Sequence, residues 1–145
     1  MIYLGADHAG YQLKAKLKKV LEQKKLKFVD LGTNTTQSVD YPLVAAAVAK
    51  SVVKNKNNRG VLICGSGEGM EIAANKVKGA RATPIYDAYT AKMSRLHNNA
   101  NIASLRARQF DQQLAIKLVL QWLQTKFSGE ARHRRRLAQI ADLEK

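Results

Sequence analysis

The sequence predicts an α/β protein of the Rossmann-like, doubly wound type: a parallel sheet of about five strands in a three-layer αβα arrangement, with a C-terminal helix. Short apolar segments alternate along the chain with longer segments in which apolar residues recur at helical spacing. Glycine-containing or polar stretches separate most of these segments. With 145 residues, 46% of them hydrophobic, the chain is expected to form one domain over residues 1–145.

The N-terminal half contains three predicted strands and two predicted helices. The strands cover residues 2–6, 26–30 and 60–63, and the helices cover residues 11–21 and 44–53. Asp40 as a cap and Pro42 in the first turn mark where the second helix begins. The third strand is an unbroken apolar run that ends at Cys64 before a glycine, so we expect it to be buried on both faces.

The C-terminal half continues the alternation. Two strands are predicted, over 81–86 and 101–105. Four helices are predicted: one over 70–77, one capped by Asp87 that ends at 96, one capped by Asp111 that ends at 126, and one over 132–143. Pro84 cannot donate a ladder hydrogen bond, so the fourth strand is predicted to lie at a sheet edge or to be bulged. Right-handed crossovers between successive strands complete the doubly wound prediction.

The composition excludes several classes of protein. The longest apolar run is far too short to span a membrane, and no export signal is visible after Met1. A lone cysteine cannot form an internal disulfide, so we expect a cytoplasmic protein. The formal net charge is +14, which is compatible with binding to nucleic acid, to an acidic membrane surface or to small anions. Few aromatics interleave with the basic residues, so nucleic acid is not favoured.

The segment that follows the third strand is rich in glycine and consists of Gly65, Ser66, Gly67, Glu68 and Gly69. A dinucleotide fingerprint requires glycine at the sixth place, which is Met70 here, and no Gly-Lys-Ser/Thr ending is present. The segment therefore indicates either a site for a small oxyanion or sugar oxygen, bound by backbone N–H groups, or simply a tight turn.

Cys64 stands at the tip of the third strand and just before a helix. A helix N-terminus favours the thiolate, which can act as a nucleophile or a base. A free cysteine is equally often a small buried apolar residue. The residue alone leaves both interpretations open.

Other candidate residues divide between the two ends of the predicted sheet. Asp7 and His8 follow the first strand and should lie at the same end as Cys64, which Tyr41 can also reach. His97 and Asn98 precede the fifth strand and therefore belong at the opposite end. A histidine there is often only a cap for its helix, so a catalytic His97 would more naturally serve the cleft of a neighbouring subunit.

Two arginines of the densest basic cluster share a helix face. Arg132 and Arg136 are four residues apart, and their forked donors suit a phosphate group, to which Arg106 or Arg108 could add a third donor. A solvated basic helix is the alternative interpretation. The three histidines and the cysteine show no metal-ligand spacing, so no metal site is predicted.

Taken together, six motifs resemble the ribose-5-phosphate isomerase B family, which also contains galactose-6-phosphate and allose-6-phosphate-type isomerases. The resemblance runs from Met1 to about Ile140 and rests on GADHAG (5–10), DYP (40–42), ICGSGEG (63–69), AANK (73–76), SRLHNNAN (94–101) and RHRRR (132–136). It implies an aldose–ketose isomerase that uses neither metal nor cofactor. It also implies a homodimer or dimer of dimers whose sites combine residues of two subunits.

The resemblance further implies roles for individual residues. Cys64 matches the base that moves a proton between C1 and C2, and residues 65–69 match the anion hole, with Ser66 at the hydroxyl position. His97 matches the residue that opens the furanose ring, and Asn98 lies beside it. The matching sugar contacts are Asp7 and Tyr41, and the matching phosphate binders are His8, Arg108, Arg132 and Arg136.

One branch of the family lacks the cysteine and uses a glutamate at the position of Met70, so this chain resembles the cysteine branch. The chain departs from the family pattern in four ways. Pro84 interrupts the fourth strand, Arg106 stands where glycine is usual, an extra residue precedes Arg132, and the net charge of +14 is unusually high. The expected reaction is interconversion of ribose 5-phosphate and ribulose 5-phosphate. The alternatives are an isomerase of a six-carbon sugar phosphate and a basic, non-enzymatic binding module.

Overall fold

The computed structural model describes all 145 residues and contains five strands and six helices. The strands are β1 (Ile2–Ala6), β2 (Phe28–Asp30), β3 (Arg59–Cys64), β4 (Ala82–Pro84) and β5 (Ile102–Arg106). The helices are α1 (Tyr11–Gln23), α2 (Tyr41–Val52), α3 (Glu68–Ala74), α4 (Ala88–Leu96), α5 (Gln112–Gln124) and α6 (Ala131–Asp142). All strand pairs are parallel, in the order β2-β1-β3-β5-β4, which confirms the predicted class.

Two apolar cores cover the two faces of the sheet. Side chains of α1, α4 and α5 form one core, and side chains of α2 and α3 form the other. Successive β3 residues point to opposite faces, so Val61 and Ile63 enter the first core while Leu62 and Cys64 enter the second. The predicted three-layer arrangement and the full burial of the third strand are confirmed.

The ends of the helices follow local chemistry in most places. Asp87 accepts a hydrogen bond from the N–H of Thr90 in a reciprocal capping box, and Asp111 accepts one from the N–H of Leu114. Asp40 precedes α2 as predicted, but its side chain makes no capping hydrogen bond. Pro42 in the first turn remains compatible with the helix start, because no intrahelical N–H is needed there.

Two element boundaries differ from the prediction in a way that affects the site. The helix predicted over 70–77 is α3, which begins at Glu68 and ends at Ala74. Gly67 makes the turn with a φ of 85°, so Glu68 and Gly69 already belong to the helix rather than to the loop. The strand predicted over 81–86 is shortened to Ala82–Pro84 and lies at the sheet edge, as Pro84 requires.

The C-terminal helix α6 is the most exposed helix, with only His133 buried among its residues. Its other side chains, including Ile140 and most of the arginines, face outward. None of the six helices has the length and apolar character needed to cross a membrane.

Candidate active site

Cys64 lies at the carboxyl end of the central strand, in a position shaped by the glycine turn. Its side chain is 4% exposed, and its Sγ accepts a hydrogen bond from the N–H of Gly67 at 3.2 Å. The hydroxyl of Ser104 donates to the carbonyl of Gly67 and thereby fixes the turn against β5. The N–H of Gly67 therefore points at the sulfur and fixes the Cys64 side chain within the turn.

The other backbone N–H groups of this segment differ in whether they find an acceptor. Glu68 N–H donates to Ser66 Oγ at 3.2 Å, whereas the N–H groups of Ser66 and Gly69 have no acceptor within the protein. Helix starts leave such donors unpaired because no residue precedes them in the helix. Two donors beside a thiol can therefore bind an oxygen that gains negative charge.

Two glycines, Gly67 in the turn and Gly69 in the first turn of α3, leave little room for a side chain. A Cβ on Gly67 would lie 3.0 Å from the carbonyl carbon of Leu105, and a Cβ on Gly69 would lie 2.7 Å from the ring of Tyr41. The contact with Gly69 brings the partly exposed Tyr41 from the start of α2 to the site, as predicted. A larger residue at either position would displace the turn or the tyrosine.

Asp7 and His8 reach the same end of the sheet, as predicted. The N–H of Asp7 donates to the carbonyl of Ile63 at 3.1 Å, and the buried Asp7 carboxylate accepts from the N–H of Gly10 at 3.0 Å. Gly10 packs so closely on β3 that a Cβ would lie 2.2 Å from the carbonyl oxygen of Ile63. His8 beside it has a buried Nδ1 without a hydrogen-bond partner in the chain.

The connection after β5 brings two arginines to this end. The guanidinium of Arg108 lies 3.2 Å from where a Cβ of Gly65 would be, so its side chain covers the glycine turn. Arg106 lies over the ring of Phe110 at 5.3 Å and donates to the carbonyl of Gln109. A cleft of about 570 Å³ opens beside the turn, and Ser66, Glu68 and Arg106 are among its lining residues.

The remaining predicted residues lie at the opposite end of the sheet. His97 caps α4, Asn98 beside it is exposed, and Arg132 and Arg136 project from α6. Gly60 pairs with Ile102 and Cys64 pairs with Arg106, so the start of β5 and the tip of β3 are separated by four residues of strand. At about 3.3 Å per residue, the two ends of the sheet are about 13 Å apart. One chain therefore does not bring His97 to its own Cys64.

His133 was not among the predicted site residues, although it lies within the basic run. It is 4% exposed, its ring centroid lies 4.4 Å from that of His97, and its Nδ1 is 2.6 Å from Ser128 Oγ. Burial lowers the pKa of His133. Glu130 opposes this shift, whereas His97, Arg132 and Arg136 add to it. The His133 ring packs against the ring of His97 and can thus fix its orientation. The signal available in the sequence was the position of His133 four residues before Leu137, on one face of the predicted helix.

Arg132 and Arg136 are both exposed, and Arg132 Nε pairs with Glu130 at 2.8 Å. An exposed ion pair of this kind contributes little free energy, so a phosphate group can replace Glu130 as the partner of Arg132. No group of three or more His, Cys, Asp or Glu side chains is placed to hold a metal ion.

Comparison with known proteins places this geometry in context. The family described as Ribose/Galactose Isomerase matches residues 2–140. The chain is similar to ribose-5-P isomerase B of Listeria innocua, with 42% identity over 128 residues that cover 88% of this chain and 86% of the relative.

Two solved structures are also similar. Ribose-5-phosphate isomerase B of Clostridium thermocellum has 42% identity and a TM-score of 0.94, covering 99% of this chain and 96% of its own. Ribose-5-phosphate isomerase B of Mycoplasma genitalium, solved with bound ribulose-5-phosphate, has 40% identity and a TM-score of 0.94, covering 99% and 95%.

Proposed function

The chain belongs to the ribose/galactose isomerase family, and from that premise we propose that it interconverts ribose 5-phosphate and ribulose 5-phosphate with Cys64 as the base. The observation that carries the proposal for Cys64 is the hydrogen bond from Gly67 N–H to its sulfur, at the edge of a turn with unpaired N–H donors. The reaction is one step of pentose phosphate metabolism, and we place it in the cytoplasm.

The proposed chemistry is a proton transfer between neighbouring carbons. The Cys64 thiolate removes the proton from C2 of the open-chain aldose as the carbonyl electrons move onto O1, which gives an enediolate. The proton then returns to C1, while the O2 proton is lost and O1 gains one, leaving a carbonyl at C2. A positioned base of this kind contributes roughly 10²- to 10⁴-fold to a rate. The reaction is redox-neutral overall, so it needs no redox cofactor.

The enediolate charge must be stabilised as it forms, because a carbon acid is weak. The N–H groups of Ser66 and Gly69 support this role, since they have no acceptor within the protein and flank the turn that holds the sulfur. Donors fixed before the reaction stabilise developing charge without reorganisation. We place Asp7 and Tyr41 against the sugar hydroxyls, and the Ser66 hydroxyl beside the reacting oxygens.

The His97 end completes the site of a second subunit in this proposal. His97 opens the furanose ring by moving protons between ring oxygen and hydroxyl, and Asn98 lies beside it. Arg132 and Arg136 bind the phosphate together with His8 and Arg108 of the other chain. The remote phosphate supplies binding energy that orients C1 and C2 at Cys64.

Exposed apolar side chains support the pairing of two chains. Leu43 in α2 is 74% exposed and Ile72 in α3 is 62% exposed, and both helices border the Cys64 end. Leu143 and Ile140, at the end of α6, are also exposed. A second copy that covered these side chains would bring α6 toward α2 and α3, which the shared site requires.

The experiment that tests the function is an isomerisation assay with ribose 5-phosphate, allose 6-phosphate and galactose 6-phosphate. We expect the five-carbon substrate to have the highest kcat/KM. Arg106 borders the cleft beside the turn, and an Arg106→Gly variant shows whether it restricts longer sugars. Turnover of a six-carbon substrate alone would overturn the substrate assignment, and turnover of none would overturn the proposed function.

A further inference from the structure

A second cleft lies at the amino end of the strands, away from the glycine turn. It has a volume of about 350 Å³ and is formed by the segment after α2, the start of β3 and the segments before β4 and β5. We call it the basic cleft, defined by its cationic side chains Lys56, Arg59, Lys78 and Arg81 and by Asn99 and Asn101. No carboxylate is among its lining residues.

The four cations of the basic cleft have no ion-pair partner in the chain. The four ion pairs of the protein are made by other lysines and by Arg132. Nearby, Glu144 accepts a hydrogen bond from Gly79 N–H at 2.9 Å and acts electrostatically on Arg81, but it lies outside the cleft. One neighbouring carboxylate against four cations leaves a strong positive potential in the cleft.

Neutral backbone groups hold the guanidinium groups in place. Arg59 donates to the carbonyls of Lys56 at 2.9 Å and Asn58 at 2.7 Å, and Arg81 Nε donates to the carbonyl of Asn99 at 3.1 Å. These acceptors fix the positions of the side chains without cancelling their charge. Both guanidinium groups keep N–H donors that are not used within the protein.

A third guanidinium lies close enough to act on the other two. Arg95 is 3% exposed and donates to the carbonyl of Ala100 and to Asn99 Oδ1. Burial, and then repulsion from Arg59 and Arg81, lowers the pKa of Arg95 to about 10, so the group remains charged at neutral pH. The pKa of Arg59 is also lowered, first by burial and then by Arg81. Such mutual repulsion is relieved when an anion binds between the cations.

We propose that the basic cleft is a second anion site that takes the phosphate group of a small phosphorylated molecule. Arginine forks bind phosphate oxygens in pairs, and the cleft is of the size that small ligands occupy. No aromatic side chain lines it, so it offers phosphate binding without the stacking that single-stranded nucleic acids use.

The test uses inorganic pyrophosphate as the probe and amide chemical shifts of the full-length chain as the readout. An Arg132→Ala/Arg136→Ala background removes the two α6 arginines of the proposed substrate-phosphate site. In that background we expect saturable shifts at Gly79, Asn99 and Asn101, and at least tenfold weaker binding when Arg59→Gln is added. Lys54→Gln removes one charge from the same surface outside the cleft, and it should weaken binding less than twofold.

Equal weakening by Arg59→Gln and Lys54→Gln would show a diffuse charge effect and overturn the proposal. So would the absence of saturable shifts at the three amides in the Arg132→Ala/Arg136→Ala background. Lys78→Gln replaces Arg59→Gln if that variant does not fold, because Lys78 is exposed. The readout involves no turnover, so a failure of the isomerase assignment would leave this result unchanged.

Discussion

At the scale of single residues, the central feature is the surroundings of the Cys64 sulfur. Cys64 is buried, and its Sγ accepts a hydrogen bond from the N–H of Gly67. A cysteine that only fills an apolar core has no such donor. The sequence could not decide between these two cases, because the hydrogen bond depends on the φ of Gly67.

We predict that Cys64→Ala lowers kcat for ribose 5-phosphate by at least about 10³-fold, because it removes the proposed base. Cys64→Ser keeps the size and an acceptor for the Gly67 N–H, but a hydroxyl is a far weaker acid than a thiol, so it should be similarly inactive. Turnover assays and calorimetric titration with ribose 5-phosphate separate loss of chemistry from loss of binding. Near-normal kcat in either variant would remove Cys64 as the base.

At the scale of elements, the phosphate assignment depends on one face of α6. Arg132 and Arg136 lie one turn apart, whereas Arg135 lies on a different face of the same helix. We predict that Arg132→Ala and Arg136→Ala each raise KM about tenfold with kcat changed less than about threefold, since charge-assisted hydrogen bonds are worth about 1.5–3 kcal/mol. Arg135→Ala is the matched control and should change KM less than about twofold. Equal effects of all three substitutions would indicate only a loss of general positive charge.

Helix α1 and strand β2 are joined by a partly buried charge cluster. Asp30 accepts hydrogen bonds from Lys14 at 2.6 Å and Lys18 at 2.8 Å, and Lys14 is 1% exposed. Burial raises the pKa of Asp30, but hydrogen bonds from Lys14, Lys18 and Gly32 outweigh burial and lower it overall. Burial lowers the pKa of Lys14, which Asp30 only partly offsets, so the lysine is the partner that depends on the pair.

We predict that Asp30→Asn lowers the free energy of unfolding by about 2–3 kcal/mol at pH 7, because it leaves a buried lysine without its counter-charge. The folded pKa of Asp30 is below its unfolded value, so this stabilisation is complete above the unfolded pKa, about 3.9, and is lost as pH falls through the folded pKa. Urea unfolding should therefore show a difference from wild type that shrinks below about pH 4. Asp142→Asn, which breaks an exposed pair, should have little effect throughout. A constant difference across pH would contradict this account.

The elements themselves were predictable to different degrees. Periodicity and capping residues located all five strands and six helices, because burial of one helix face and capping by Asp87 and Asp111 are local. The start of α3 was wrong by two residues, since the left-handed Gly67 begins the helix earlier than the apolar pattern shows. The contact between Tyr41 and Gly69 and the stacking of His133 on His97 depend on tertiary packing, so no local pattern predicts them.

At the scale of the whole molecule, the candidate site is divided. Asp7, Tyr41 and Cys64 gather at the carboxyl end of the sheet, and His97 and Arg132 lie at the amino end. The parallel direction of the strands explains the position of His97, because a residue just before a strand lies at the end of the sheet where that strand begins. The central claim is therefore that one chain's Cys64 works with another chain's His97.

That claim is tested most directly by pairing two inactive variants, Cys64→Ala and His97→Asn, in one heterodimer purified through two different tags. A shared site leaves one of the two sites with both native residues. The heterodimer should then isomerise ribose 5-phosphate at about half the wild-type rate, while each parent homodimer remains inactive. Cys64→Ala paired with the Cys64→Ala/His97→Asn double variant has no intact site and should also remain inactive. A Cys64→Ala/His97→Asn heterodimer no more active than its parents would contradict the shared site.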